Sequence, residues 1–177
     1  MESLSRAMVH YLRHDPNAPL DDAASVSVNH ILEIFNINRD TLDTIINLPT
    51  DKQRLFLSPC HNFIRAASGH SNPVRLHLLG SPITNPSSVK NGTHGTSKKA
   101  LPIIQKEGLQ KMNRQYIHFA KNKTCLKKGS DVIITLDVPK YLRAGMKLYR
   151  LDNGNIAASG NRDNLIKPVY FKCVTIR

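Results

Sequence analysis

Arginine and histidine side chains suited to phosphate chemistry occur at several separated places in this 177-residue sequence. Arg13 and His14 are adjacent near the end of the first predicted helix. A guanidinium binds a phosphate through two parallel N–H groups, and an imidazole exchanges protons near neutral pH. A helix dipole alone also favours cations at this position, so the pair has a structural interpretation beside the chemical one.

Arg65 lies on a predicted strand among small and apolar neighbours. A buried charge requires a partner, because transferring an unpaired ion out of water is costly. The partner of Arg65 is therefore either a structural carboxylate or a bound anion. Acidic residues are scarce in this part of the chain, and the sequence leaves both interpretations open.

The run His94-Gly95-Thr96-Ser97 precedes a helix that we predict over 97–107. Small residues and hydroxyls at a helix N-terminus leave backbone N–H groups free to bind an anion. The alternative is that Thr96 or Ser97 only caps the helix. The run does not satisfy the phosphate-binding pattern G-x4-GK[ST].

His118 lies on a predicted strand over 115–120, where a lone histidine is more often a packed core residue than a catalyst. Cys60, His61, His70 and His77 do not have the spacing of a zinc site. We therefore expect no bound metal.

The composition is that of a globular protein, with 40% hydrophobic and 21% charged residues. The three cysteines are far apart and odd in number, which favours a reducing compartment. The sequence has no apolar run of membrane-spanning length and no signal-like opening, so we expect an intracellular protein, cytoplasmic or nuclear. We also expect a monomer.

Positive charge is concentrated outside the first 50 residues. The chain has 25 basic and 13 acidic residues, of which 3 basic and 7 acidic lie in 1–50. Residues 90–128 contain 10 basic residues and a single acid, Glu107. Such a concentration attracts polyanions, which favours a phosphate-rich partner over a basic surface kept only for solubility.

The apolar periodicity predicts three helices in the first 50 residues, the first of them capped by Ser3 and ending before Pro16, the second opened by Ser25 or Ser27. Two short strands over 53–58 and 63–67 follow. Three helices and a hairpin are typical of a winged helix, an analogy of fold that does not establish a function.

The second half is predicted to be mostly β. Residues 81–93 have the composition of a linker between two domains, 1–80 and 94–177. Strands are predicted over 115–120, 131–137, 147–150, 155–159 and 169–175. Asn153-Gly154 indicates a tight hairpin between two of them. The expected fold class is α+β.

Taken together, these segments resemble one family, the RNA (tRNA) 2′-phosphotransferases. The blocks that carry the resemblance keep the family's order: Leu4-Ser5-Arg6-Ala7, Leu12-Arg13-His14, Asp51-Lys52-Gln53-Arg54-Leu55-Phe56, Ile64-Arg65-Ala66, Gly69-His70-Ser71, His94-Gly95-Thr96, Gly108-Leu109, Met112 with Arg114, Ile117-His118-Phe119-Ala120, Tyr149-Arg150, Asn153-Gly154 and Pro168-Val169-Tyr170-Phe171-Lys172.

The resemblance implies a winged-helix lobe that binds RNA and an ADP-ribosyltransferase-like lobe, of the PARP type, that binds NAD⁺ as co-substrate. It implies transfer to NAD⁺ of an internal RNA 2′-phosphate, such as one on spliced tRNA. The products are RNA with a free 2′-OH, ADP-ribose 1″,2″-cyclic phosphate and nicotinamide. The residues carried over as catalytic are Arg13, His14, Arg65 and Arg114. Those carried over as NAD⁺-binding are His94, Gly95, Thr96 and His118.

We expect RNA contacts from His70, Ser71, Lys121 and Lys123. Two other functions fit the same sequence. One is ADP-ribosylation of a terminal RNA or DNA phosphate, in which the ADP-ribose stays attached. The other is an inactive RNA-binding module, against which the presence of all four carried-over catalytic residues argues.

Overall fold

The computed structural model describes residues 1–49, 53–89, 92–122, 125–126 and 128–177. The chain divides into two compact units, Met1–Leu79 and Gly80–Arg177. Both combine helices with small antiparallel sheets, so the fold is a mixture of α and β structure. None of the helices in the described ranges is long and apolar enough to cross a membrane.

In its described residues, the first unit contains four helices and a three-stranded sheet. The helices are α1 (Glu2–His14), α2 (Val28–Ile34), α3 (Arg39–Ile46) and α4 (Leu76–Leu79). The strands are β1 (Ser25–Ser27), β2 (Leu55–Leu57) and β3 (Phe63–Ala66). They are antiparallel in the order β1-β3-β2.

The ends of these helices follow from local chemistry. Helix α1 ends at His14, as predicted from Pro16. Its N-cap is Met1 rather than Ser3, so the Ser3 prediction is wrong. Helix α2 has the expected cap, because the Ser27 side chain accepts a hydrogen bond from the backbone N–H of His30.

The core of the first unit is formed where α1, α2, α3 and the sheet pack together. The buried apolar side chains are Met8, Val9, Leu12, Val26, Val28, Ile31, Leu42, Ile45, Leu55, Ile64 and Ala66. Those on α1 follow the spacing of one helical face, as the apolar stripe predicts. The packing of Met8 and Leu12 therefore fixes which way the end of α1 faces.

The described part of the second unit contains two α-helices and three small sheets. The helices are α5 (Leu101–Glu107) and α6 (Val138–Arg143). The strands are β4 (Gly80–Pro82), β5 (Thr93–Thr96), β6 (Leu109–Gln110), β7 (Ile117–Phe119), β8 (Val132–Leu136), β9 (Leu148–Leu151), β10 (Ile156–Ala158), β11 (Leu165–Ile166) and β12 (Phe171–Ile176). The sheet orders are β4-β9-β10-β7, β12-β8-β5 and β11-β6, all antiparallel.

The strands of the second unit surround a core that includes Phe119, Ile134, Tyr141 and Ile156. The hairpin predicted at Asn153-Gly154 is confirmed as the turn between β9 and β10. Gly154 has φ 79°, a conformation that glycine adopts without strain.

Two predictions about the start of this unit are corrected. Residues 81–93 are not a bare linker, because β4 pairs with β9 and Thr93 opens β5. The helix predicted over 97–107 begins at Leu101 instead. Pairing of β5 with β8 keeps the backbone extended through Thr96, and turns occupy 98–100.

Candidate functional site

Arg13 and His14 form the last turn of α1, and a loop from a distant part of the first unit holds that turn in place. The carbonyl oxygen of Arg13 accepts the backbone N–H of Ser71 at 3.0 Å. The side chain of Asn72 donates to the carbonyl oxygen of Asp15 at 2.8 Å. These bonds satisfy carbonyl groups that a helix C-terminus otherwise leaves to solvent.

Arg65 lies on β3, the central strand of the first sheet, and is paired with Ser25 on one side and Phe56 on the other. Its Nη1 atom donates to the carbonyl oxygen of Leu78 at 2.7 Å. The sequence left two partners open for Arg65, a structural carboxylate or a bound anion, and this backbone carbonyl is neither. The bond orients one edge of the guanidinium, but a neutral carbonyl does not neutralise its positive charge.

His70 is the buried centre around which these cations gather. Only 2% of its surface is exposed. Burial is the largest cause, followed by the positive charges of Arg13, Arg65 and His14, and together they lower the pKa of His70 from 6.5 to about 4. The structure thus brings Arg13, His14, Arg65 and His70 together, which their positions in the sequence do not reveal.

The loop that carries His70 depends on a glycine. Gly69 has φ 87°, which strains any other L-residue. A Cβ atom there would also lie 3.5 Å from Cζ of Arg13. Among the described residues, the buried Nε2 atom of His70 has no hydrogen-bond partner, which is rare for a buried polar atom.

In the second unit, His94 lies on β5 and contacts β7. Its Nδ1 atom is 2.9 Å from the carbonyl oxygen of His118, and its ring meets that of Phe119 edge-on, with centroids 6.1 Å apart. Burial lowers the pKa of His94; the bond to His118 opposes the shift and the charge of Arg114 adds to it. His94, His118 and Arg114 therefore lie close together.

His118 is half-buried on β7, where it pairs with Ala157 of β10. Thr93 and Ala120 exchange backbone hydrogen bonds beside it, and the shorter, from Ala120 N–H to the Thr93 carbonyl, is 2.7 Å. Arg114 is exposed and precedes β7 in a turn. The sequence did not predict either contact of His94 with β7, the hydrogen bond to the His118 carbonyl or the ring contact with Phe119.

Gly95 and Thr96 lie on β5 rather than at a helix N-terminus, so the predicted anion site on a helix is wrong in its geometry. Both residues pair with β8, Gly95 with Ile133 and Thr96 with Val132. A Cβ atom on Gly95 would lie 2.5 Å from Oγ of Ser130. A larger residue here would therefore displace either Ser130 or the strand.

The residues expected to contact RNA are divided between the units. His70 and Ser71 belong to the cluster around Arg13 in the first unit. Lys121 is exposed in the second unit, and its backbone N–H donates to the Asn155 side chain at 3.2 Å. Lys123 lies outside the described residues.

Comparison with known proteins places these features in a family. Residues 1–160 match the RNA 2′-phosphotransferase, Tpt1/KptA family. A probable RNA 2′-phosphotransferase of Flavobacterium johnsoniae is 33% identical over 86% of this chain and 87% of its own length. One of Trichormus variabilis is 31% identical over 85% and 87%. A putative tRNA 2′-phosphotransferase of Schizosaccharomyces pombe is 28% identical over 96% of this chain and 50% of its own length. The chain belongs to the RNA 2′-phosphotransferase, Tpt1/KptA family and is thus a transferase.

Proposed function

We propose that this chain transfers an internal RNA 2′-phosphate to NAD⁺. The observation that carries the proposal is the gathering of Arg13, His14 and Arg65 around the buried His70. Cations brought together on a folded scaffold require an anion, and a phosphate is the anion that guanidinium groups bind best. The names of the relatives, quoted above, agree with a phosphate on RNA.

The reaction has two displacements. In the first, an oxygen of the RNA 2′-phosphate forms a bond to C1″ of the nicotinamide ribose, and nicotinamide leaves with the electrons of the broken C–N bond. In the second, the ribose 2″-oxygen loses its proton and attacks phosphorus. The RNA 2′-oxygen leaves and takes up a proton, which gives the 2′-OH and the cyclic phosphate.

Arg13 and Arg65 would hold the phosphate in both displacements. Negative charge grows on the phosphoryl oxygens as the second displacement proceeds, and fixed guanidinium groups stabilise that charge more than they stabilise the substrate. The hydrogen bond from Arg65 to the Leu78 carbonyl supports this role, because it holds the guanidinium in place before the phosphate arrives.

His14 is the proposed proton carrier for the ribose hydroxyls. Its ring is at the exposed end of α1, and one ring nitrogen is engaged with Ser71. The second nitrogen would accept the hydroxyl proton, and the protonated ring would return it to the leaving RNA oxygen.

The second unit would bind NAD⁺ through the residues that the structure brings together at β5 and β7. The proposed NAD⁺-binding residues are His94, whose imidazole is uncharged, and His118, which supplies a second imidazole. Gly95 and Thr96, which follow His94 on β5, complete the set. Arg114 is the proposed fourth catalytic residue.

We also propose that the first unit is a winged helix that binds RNA and that the second is an ADP-ribosyltransferase-like lobe. The support for the first is its chain order, α1 to α3 followed by the β2–β3 hairpin. The support for the second is its predominance of short antiparallel strands. An RNA substrate agrees with an intracellular location.

The experiment is to incubate the protein with an oligonucleotide that carries one internal 2′-phosphate, with and without NAD⁺. The masses of the products are then measured by mass spectrometry. We expect phosphate loss from the RNA only with NAD⁺, with one nicotinamide released for each phosphate. Loss without NAD⁺, or none with it, would contradict the proposal. An oligonucleotide with a 5′-terminal phosphate tests the alternative, since ADP-ribosylation would add mass to the RNA.

A further inference from the structure

The Ser71 hydroxyl lies between two groups at the end of α1. Its Oγ atom is 3.0 Å from Nδ1 of His14 and 3.2 Å from the carbonyl oxygen of Arg13. The backbone N–H of Ser71 donates to the same Arg13 carbonyl at 3.0 Å, which fixes where the hydroxyl can be. Ser71 is thus tied to both residues of the Arg-His pair.

The Ser71 hydroxyl has one hydrogen and two neighbouring acceptors, the Arg13 carbonyl oxygen and Nδ1 of His14. The carbonyl can only accept, so both bonds form together only when the hydroxyl hydrogen points to Arg13. The Oγ atom then presents a lone pair to Nδ1 of His14, and this nitrogen must carry a hydrogen to complete the bond. In a neutral ring with hydrogen on Nδ1, the lone pair belongs to Nε2.

We propose that Ser71 is a positioning residue that holds His14 as the Nδ1–H tautomer, so that Nε2 is the atom that accepts a proton. This inference rests on the proposed function for its catalytic meaning. Ser71 was also expected to contact RNA, and the kinetic test described below distinguishes the two roles.

The exposure of His14 makes such a device necessary. An exposed imidazole rotates about its side-chain bonds and exchanges between two tautomers. His10, one helical turn earlier, meets the ring edge-on with centroids 5.1 Å apart at 61°. His10 limits rotation of the ring, and Ser71 selects which nitrogen carries the hydrogen.

The tautomer can be read directly in the full-length protein. Long-range ¹H–¹⁵N spectra of the labelled chain at pH 8 distinguish protonated from unprotonated ring nitrogens, and His14→Asn identifies the His14 signals among the eight histidines. We expect protonated Nδ1 and unprotonated Nε2 in the wild-type protein. An unprotonated Nδ1 there would overturn the proposal.

Ser71→Ala should convert His14 to a mixture of tautomers. Ser3→Ala, which removes an exposed hydroxyl elsewhere on α1, should leave the His14 signals unchanged. An unchanged His14 tautomer in Ser71→Ala would overturn the proposal. Because the spectrum requires no substrate, its result is independent of whether the chain proves to be a 2′-phosphotransferase.

Kinetics separate positioning from RNA contact. We expect Ser71→Ala to lower kcat about five- to tenfold, the loss of one hydrogen bond, with KM for RNA unchanged. Ser71→Thr should restore most of kcat, since it keeps the hydroxyl. A rise in KM for RNA with kcat unchanged would show that Ser71 contacts RNA and would overturn the proposal.

Discussion

His94 donates a hydrogen bond from Nδ1 to the carbonyl oxygen of His118 at 2.9 Å, which joins β5 to β7. The carbonyl can only accept, so Nε2 of the neutral ring carries the lone pair. Burial lowers the pKa of His94 below its ordinary value of 6.5, and the ring is therefore uncharged at pH 7. His94 offers the proposed NAD⁺ site an acceptor rather than a cation.

His94→Asn should separate the roles of the two ring nitrogens. The asparagine amide reproduces the Nδ1 donor but not the Nε2 acceptor, so we expect normal stability and a KM for NAD⁺ raised about tenfold, ~1.4 kcal/mol. His94→Ala should also lose about 1 kcal/mol of stability, because the His118 carbonyl loses this donor. NAD⁺ titrations and urea denaturation measure the two effects. A wild-type KM for NAD⁺ in His94→Asn would show that Nε2 does not contact NAD⁺.

Arg114→Lys should keep the fold and NAD⁺ binding but lose about a hundredfold in turnover, ~3 kcal/mol, the scale of one transition-state donor. An ammonium cannot replace the planar guanidinium in a bidentate contact. Single-turnover assays measure the loss. Arg143→Lys, at an exposed position of α6, is the matched control.

Near-wild-type turnover in Arg114→Lys would require a different fourth cation. Arg150 is the first alternative by sequence. Its Nη2 atom already donates to the Ser88 carbonyl oxygen at 2.7 Å, so other N–H groups of the guanidinium would have to bind the substrate. Arg150→Lys would then show the loss instead.

The buried His70 predicts a sensitivity of the fold to acid. In the unfolded chain His70 takes up a proton near pH 6.5, whereas the folded protein holds its pKa at about 4. Between these values the unfolded state binds more protons, so the free energy of unfolding falls as the pH falls, by about 3 kcal/mol in all. This stability is fully present above pH 6.5.

His70→Gln should remove that slope. Urea midpoints at pH 7, 5.5 and 4.5 measure it, and His77→Gln, which changes an exposed histidine of α4, is the control that should keep the wild-type slope. Equal slopes in wild type and His70→Gln would show that His70 does not set the acid response.

RNA affinity should fall steeply as salt rises, with a log–log slope of about −0.7 for each phosphate contact to a single strand. Lys121→Gln with Lys128→Gln, both exposed, should make the slope shallower by about 1.4. The exposed pair Lys140→Gln with Lys147→Gln removes the same charge from another part of the second unit and should change the slope less. Lys123, which is also expected to contact RNA, lies outside the described residues. Equal slopes in the two pairs would mean that Lys121 and Lys128 do not face RNA.

Gly95→Ala should displace β5, because its Cβ atom would lie 2.5 Å from Oγ and 3.0 Å from Cβ of Ser130. We expect a loss of about 1–3 kcal/mol in stability and weaker NAD⁺ binding through the neighbouring His94. Ser130→Gly in the same chain should restore both. A double-mutant cycle by urea denaturation measures the coupling, and purely additive losses would refute the steric explanation.

Local signals predicted the parts of the fold that depend on a few adjacent residues. Pro16 marked the end of α1 and Asn153-Gly154 the β9–β10 turn. The start of α2 was predicted at Ser25 or Ser27, and Ser27 is the cap. Helix α6 was missed although its signal is present: the Asp137 side chain caps the N–H of Lys140, with Pro139 in the first turn.

The contacts that build the candidate site could not be read from the chain. Nothing local to His94 indicates that it bonds to the His118 backbone, since that contact depends on how β5 and β7 come together. The start of α5 was placed too early for the same reason, because pairing with β8 holds Gly95 and Thr96 in a strand. Long-range pairing overrides local propensity there.

The bonds between the end of α1 and Ser71 and Asn72 join residues 57 or 58 positions apart. They have a consequence for the order in which the protein is made. Arg13 and His14 leave the ribosome early, yet their orientation is set only after the loop that contains Ser71 has been synthesised and has docked. A nascent chain that ends before Ser71 carries Arg13 and His14 on a helix but lacks the geometry for phosphate chemistry.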